Sequence, residues 1–283
     1  MVSATPAAES KLAEARRLLG CLGPVVVALS GGVDSSLLLA LAVEEAGPER
    51  VLAATIAGVV DTDEDLGTAA ALAASLGVEH RVMRLNELEI DGFAKNPPER
   101  CYLCRCQMCT ALAALAADSG AVVVDGANAD DLADFRPGLR AAAERGVRHP
   151  LAEAGLTKNE IRVAARALGL PTWNRPASPC LASRFPYGER ITLEGLRMVA
   201  AAEALLRSHG FDVVRVRHEG RTARIEVPAD RLAEIASAPL REELDAGLRR
   251  LGYAYVCVDL RGFRSGSLNE VLAPEVVNRF PAD

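Results

Sequence analysis

Four short runs of β-branched and small apolar residues, Val25–Leu29, Val51–Ala57, Val78–Leu85 and Ala121–Asp125, punctuate the first part of the chain. Between them lie Ala/Leu-rich stretches with helical spacing, Ser35–Ala46, Asp63–Leu76 and Cys104–Asp118. Strands that alternate with helices predict a parallel sheet with crossover connections, and ligands on such sheets sit beyond the carboxyl ends of the strands. Thr157–Leu168 reads as a further helix, with Thr157 as N-cap and Glu160 three residues on as a capping box. The rhythm is then lost across Pro171–Arg190, a Pro-rich stretch whose length and Trp, Cys, Arg and Tyr content mark a functional loop. After it, Leu193–His209 and Pro228–Leu251 read as helices, and Val213–Arg217, Ala223–Val227 and Tyr253–Leu260 as strands. The fold class expected is α/β, a parallel sheet followed by a small C-terminal α+β unit, with a boundary near residue 190 dividing 1–190 from 191–283.

Composition narrows the classes. The chain has 283 residues, of which 50% are hydrophobic, enough for a sizeable core. No apolar run reaches the roughly 18 residues of a membrane span. The amino terminus lacks the basic start and apolar core of a signal peptide and reads as an amphipathic helix, so a cytoplasmic location is expected and no membrane partner. The net charge of −6 argues against a nucleic-acid footprint, although locally placed arginines can still clamp a small anion. Seven cysteines, an odd number, in a chain without an export signal point away from a disulfide framework and toward metal or sulfur chemistry.

The strongest motif is the hydrophobic run Val25–Leu29 entering Ser30-Gly31-Gly32-Val33-Asp34-Ser35-Ser36 and then a helix. Glycines let the backbone approach an anion, and the open N–H groups of the new helix bind phosphate oxygens. Ser30, Ser35 and Ser36 are candidate hydroxyl donors. The spacing is not that of a Walker loop, whose Lys is absent. The whole string resembles the PP-loop of the ATP pyrophosphatases, the adenine nucleotide alpha hydrolase-like group that splits ATP between its α and β phosphates. That resemblance implies ATP and Mg²⁺, with Asp34 helping to hold the metal. Asp125-Gly126-Ala127-Asn128-Ala129-Asp130-Asp131 follows the fourth strand at the same sheet edge, and there Gly126 is a candidate nucleotide contact rather than a mere turn residue.

Cys180 lies in a polar loop near Arg175, Arg184 and Arg190, whose positive field favours a thiolate able to attack an adenylated carboxylate and displace AMP. Cys101, Cys104, Cys106 and Cys109 form a C-x2-C-x-C-x2-C run with metal or iron–sulfur ligand character, a helix start without any ligand role being the plainer alternative. Cys21 and Cys257 read as packing residues, and His218 as ordinary surface.

Four stretches together resemble the LarE family: Asn96–Cys104, Asp125–Asp131 with Arg136-Pro137-Gly138, Pro179–Gly188, and Tyr255–Glu270. These are the ATP-dependent sulfur transferases of nickel-pincer nucleotide biosynthesis. The resemblance implies a small nucleotide substrate, pyridinium-3,5-biscarboxylic acid mononucleotide, adenylated by ATP and attacked by Cys180, and it implies a homo-oligomer. In the sacrificial form the Cys180 sulfur leaves with the product and dehydroalanine stays behind. In the alternative form Cys101, Cys104 and Cys180 hold a [4Fe–4S] cluster that carries sulfide; Cys106 and Cys109 depart from the family pattern. The resemblance also assigns Arg184, Arg215, Arg217 and Glu226 to substrate, with Asp230 a weaker candidate. A tRNA thiolase is the alternative enzyme, and a nucleotide-sensing protein without catalysis the alternative class.

Overall fold

The computed structural model describes residues 6–133, 136–176 and 178–277. It separates the chain into two compact units, one of residues 1–86, 101–177 and 277–283, the other of residues 87–100 and 178–276.

The first unit is built on β1 (Val25–Ala28), β2 (Val51–Gly58), β3 (Glu79–Leu85) and β4 (Val122–Val124), all parallel, in the order β3-β2-β1-β4. The helices are α1 (Pro6–Cys21), α2 (Val33–Ala46), α3 (Asp63–Ser75), α4 (Arg100–Ala117), α5 (Pro137–Ala143), α6 (Pro150–Glu153) and α7 (Lys158–Ala167). Met1–Thr5, at the start of the expected amino-terminal helix, lie outside the described residues. Period-two alternation on β1 explains why the sheet is covered on both faces. Val25 and Val27 enter the core under α1, α2 and α7, while Val26 enters a second core with Leu112, Ala116 and Cys109 of α4. A strand apolar on both sides belongs in the middle of such a sheet, and β1 is central. Outside β4, Arg148 bridges Val124 in parallel, and the amide of Asp125 donates to the Arg148 carbonyl at 3.1 Å. The segment after α5 therefore covers that edge of the sheet.

The second unit holds α8 (Leu193–Ser208), β5 (Arg215–Glu219), β6 (Thr222–Glu226), α9 (Leu232–Ile235), α10 (Leu240–Arg250) and β7 (Tyr255–Val258). β5 pairs antiparallel with β6, and β6 pairs parallel with β7. Phe211, Val214, Val216, Ile225 and Leu248 fill its core.

Three expectations change. The helix expected over Pro228–Leu251 is broken into a 3-10 turn, α9 and α10, because Pro239 lacks an amide hydrogen to continue the ladder and instead serves as the N-cap of α10. The boundary falls at Ala177/Ser178 rather than near 190, since the loop carrying Cys180 is bonded into the second unit. Its Gly188 amide donates to the Asn96 carbonyl (2.9 Å), and the Asn96 amide group donates to the carbonyls of Phe185 and Pro186. Glu87–Arg100 accordingly belongs to that unit too. Finally, Cys21 and Cys257 are exposed rather than packed: Cys21 ends α1, and Cys257 stands on the outward face of β7.

Candidate active site

The phosphate loop sits at the carboxyl end of β1. Gly31 takes φ +75, and a Cβ there would lie 2.5 Å from the Asp65 carbonyl, so only glycine fits. Gly32 caps α2 with extended backbone and no side-chain hydrogen bond, leaving the first amides of α2 open toward an incoming anion. Arg175 holds the loop from behind, donating to the Gly31 carbonyl (2.9 Å) and pairing with Asp65 (3.0 Å). Arg175 belongs to the first unit, and its charge is matched there by Asp65 and Glu64. Ser36 donates to the Gly32 carbonyl (2.7 Å) and Ser35 accepts from the Ser30 amide (3.2 Å), so these buried hydroxyls brace the loop. Ser30 Oγ lies 3.1 Å from Ser35 Oγ.

Asp34 occupies the first turn of α2, where its carboxylate forms an ion pair with Lys158 and accepts from the Asn128 amide (3.4 Å). Lys158 opens α7 immediately after its N-cap, Thr157, within the capping box that Thr157 forms with Glu160. Sequence reasoning missed Lys158 as a site residue; the signal available was its place at that helix start in a chain with only three lysines. Gly126 is packed onto α2, because a Cβ would come within 2.7 Å of the Ser35 amide nitrogen. Asp131 lies close to Asp34, and burial raises its pKa. An oxygen ligand such as Asp34 suits Mg²⁺, which takes one or two carboxylates and fills its remaining positions with phosphate and water.

A second charged set, also missed, lies behind the loop. Asp125 pairs with Arg105 of α4 and accepts from His149 Nδ1 at 2.6 Å. Burial alone would raise the Asp125 pKa, but Arg105 and His149 together hold it below the ordinary value. His149 Nε2 is buried without a hydrogen-bond partner.

The cysteine run lies on α4. Cys101 is exposed and Cys109 is buried in the core, where burial raises its thiol pKa. Eight residues of helix separate these two by about 12 Å along the axis, so the four sulfurs cannot close on one metal ion. Cys101 and Cys104, one turn apart, remain as a two-thiol pair, and a cluster would need its further ligand from outside α4. Among the described residues, no group of three or more His, Cys, Asp or Glu side chains is gathered to hold a metal ion.

In the second unit Cys180 caps the 3-10 turn Leu181–Arg184 and is half-buried, outside any disulfide. Ala177, in the same loop, lies outside the described residues. Arg184 is 3% exposed and clamps Glu203, 1% exposed, at 2.8 and 2.9 Å. Its remaining bonds go to the carbonyls of Pro179 (2.6 Å) and Cys180 (3.1 Å) and to Ser183 Oγ (2.9 Å). Arg217 forks onto Glu226 at 2.9 and 2.6 Å and donates to the Ser183 carbonyl (2.8 Å). Arg184 and Arg217 thus hold the backbone on both sides of Cys180. Arg215 donates to the Val214 carbonyl (2.6 Å) and lies over the Phe263 ring at 5.3 Å; burial, with Arg184 and Arg217 nearby, pulls its pKa down to about 10. Asp230 belongs to the 3-10 turn Ala229–Arg231. His218, expected at the surface, is buried against Phe185 with Nδ1 3.1 Å from the Tyr253 hydroxyl, and burial lowers its pKa.

The asparagine synthase family matches residues 9–183. An uncharacterized protein of Synechocystis sp. is 43% identical over 265 residues, 93% of this chain and 98% of that protein. The pyridinium-3,5-bisthiocarboxylic acid mononucleotide synthase of Lactiplantibacillus plantarum is 40% identical over 249 residues, 88% of this chain and 90% of that enzyme. An NH(3)-dependent NAD(+) synthetase of Methanoregula boonei shares 40% identity over 78 residues, 26% of this chain and 32% of its own. The phosphate loop, the ATP binding that it implies and the near full-length likeness agree: the chain belongs to the LarE family, the ATP-dependent sulfurtransferases among the PP-loop enzymes.

Proposed function

We propose that the enzyme adenylates a carboxylate of pyridinium-3,5-biscarboxylic acid mononucleotide with ATP and converts it to a thiocarboxylate at Cys180, in the cytoplasm. The open amides of α2 receive the phosphates, and Lys158 and the loop glycines offset their charge. Mg²⁺, when bound with ATP, would be held through Asp34 and would neutralise phosphate charge. Attack of a carboxylate oxygen at the α-phosphorus expels pyrophosphate and leaves an acyl adenylate. The Cys180 thiolate then adds to the acyl carbon, AMP departs, and a thioester joins substrate to protein. Removal of the Cys180 Cα proton and cleavage of its Cβ–S bond release the thiocarboxylate and leave dehydroalanine, with no external oxidant or reductant required.

The observation that carries this reading is the framework around Cys180. One loop is fixed by Arg184 and Arg217, and the second arginine also belongs to the patch that contains Arg215. A nucleophile and a receptor for an anionic substrate therefore share one support. Arg215, with Arg184 and Arg217 nearby, supports this reading as a further cation for a phosphate or carboxylate. The exposed Cys101 with Cys104 supports the second reading, in which these two and Cys180 bind a [4Fe–4S] cluster and the transferred sulfur is external.

Intact mass on anaerobically purified protein, before and after reaction with ATP, Mg²⁺ and the biscarboxylate nucleotide, separates the two. The expected result is thiolated product with a loss of about 34 Da, the mass of H₂S, localised to Cys180. Product without mass loss would establish the external sulfur source. Absence of both AMP and thiolated product, or turnover that depends on added tRNA, would overturn the substrate assignment.

A further inference from the structure

The second unit contains a cleft of about 230 Å³, walled by Thr192, Glu194, Gly195 and Met198 at the start of α8 and by His218 and Arg221 at the end of β5 and its turn. Successive residues of a strand point to opposite faces, so His218 leaves β5 on the side away from Arg217. His218 is only 9% exposed, and its Nδ1 lies 3.1 Å from the Tyr253 hydroxyl. That buried hydroxyl has no other partner among the described residues, and burial pushes its pKa up, so it stays protonated and donates to Nδ1. The neutral ring then carries its hydrogen on Nε2, which lines the cleft and has no hydrogen-bond partner among the described residues. A Cβ on Gly195 would come within 3.1 Å of that nitrogen and 2.9 Å of Phe185 Cζ, so glycine keeps the approach to the ring open.

The start of α8 adds further donors. Thr192 Oγ1 accepts from the Gly195 amide (3.0 Å), while the amides of Leu193 and Glu194 stay open at the positive end of a 16-residue helix. Two charges complete the cleft. Arg221 and Glu194 are both exposed, and neither side chain has an ion pair or hydrogen bond among the described residues. Glu189, the other carboxylate that acts on His218, is already engaged, accepting from the Gly220 amide at 2.6 Å. A bare anion would satisfy the donors but leave the Glu194 carboxylate opposed to it. A zwitterion satisfies both. We infer that this cleft binds a small free α-amino acid, its carboxylate held by His218 Nε2, the open amides of α8 and Arg221, and its ammonium group by Glu194. At about 230 Å³ the cleft is below the roughly 300–1,000 Å³ of drug-sized pockets, which restricts the ligand to a short side chain lying against Met198.

Binding is read on the full chain without turnover. The chain has four histidines, so NMR of protein labelled at histidine resolves the His218 ring, identified by its loss in His218→Gln. Titration with glycine, L-alanine, L-serine or L-cysteine is expected to move the His218 signal saturably. N-acetyl-L-alanine and ethylamine each lack one of the two charges, and each is expected to bind roughly tenfold or more weakly than L-alanine. Glu194→Gln and Arg221→Gln change exposed residues and leave the fold intact by circular dichroism. Each should weaken L-alanine by about tenfold, and Glu194→Gln should leave N-acetyl-L-alanine unchanged, since that ligand has no ammonium group to lose. A His218 signal that none of the four amino acids moves would overturn the inference. So would a response to inorganic phosphate alone, which would make this a bare anion site, or an affinity for L-alanine that neither variant changes.

Discussion

The phosphate loop and the arginine framework around Cys180 deploy positive charge in opposite ways. The loop uses backbone: two glycines, an uncapped helix start and a carbonyl pulled aside by Arg175 present amides that need no side-chain charge. The framework uses side chains: Arg184 and Arg217 are buried, forked onto Glu203 and Glu226, and engaged with the carbonyls of Pro179, Cys180 and Ser183. Their charges are consumed within the protein, and Arg215 beside them is buried as well. The lesson is that a cluster of arginines near a nucleophile is not a uniform positive patch. Arg184 and Arg217 in it are structural, held by buried carboxylates and backbone carbonyls.

The largest effect expected from breaking this comparison comes at Arg184. Arg184→Met takes the two-pronged partner from buried Glu203, leaving it Arg207 (3.4 Å) and the Val216 amide (3.1 Å), and removal of one partner from a buried ion pair costs about 3–5 kcal/mol. Urea unfolding should show that loss, and Arg184→Met combined with Glu203→Leu should recover part of it. A loss under about 1 kcal/mol would place Arg184 among the surface pairs. Next is Gly126→Ala, whose methyl would intrude on the Ser35 amide nitrogen. Overpacking of this kind costs roughly 1–3 kcal/mol. Here it should appear mainly as weaker ATP binding by calorimetry, because the displaced backbone belongs to the phosphate-binding turn.

The smallest change in stability, and the sharpest functional one, is expected at Arg215. Arg215→Met should leave stability within about 1 kcal/mol of the parent or raise it, since burying the charge it removes is costly. The KM for the anionic nucleotide should rise. The sign with pH follows from linkage. The folded-state pKa of about 10 lies below the ordinary arginine value, so the folded state gives up this proton first. Stability therefore rises as pH increases through about 10, and that rise should be absent in Arg215→Met when unfolding is followed between pH 9 and about 11.

What could be read from the sequence follows the same division. The phosphate turn lies within seven consecutive residues after an apolar strand, and its function is local, so spacing alone displays it. The parallel order of the first four strands follows from alternation of strands with helices. Lys158 reaches Asp34 across 124 positions, and Arg105 and His149 converge on Asp125 from two other elements. No local pattern encodes such meetings. Arg184 was assigned to substrate because burial leaves no mark on a charged residue in a polar loop; only Glu203, on α8, reveals its partner. Alternation placed Cys257 within a strand but could not say which of its two faces was covered.

Arg184 and Arg217 grip carbonyl oxygens flanking position 180 and ask nothing of the side chain there. Under the sacrificial chemistry, the carbonyl contacts that fix the loop at position 180 therefore survive the loss of the sulfur. The protein then behaves as a consumable reagent, and supply of new polypeptide sets the ceiling on product.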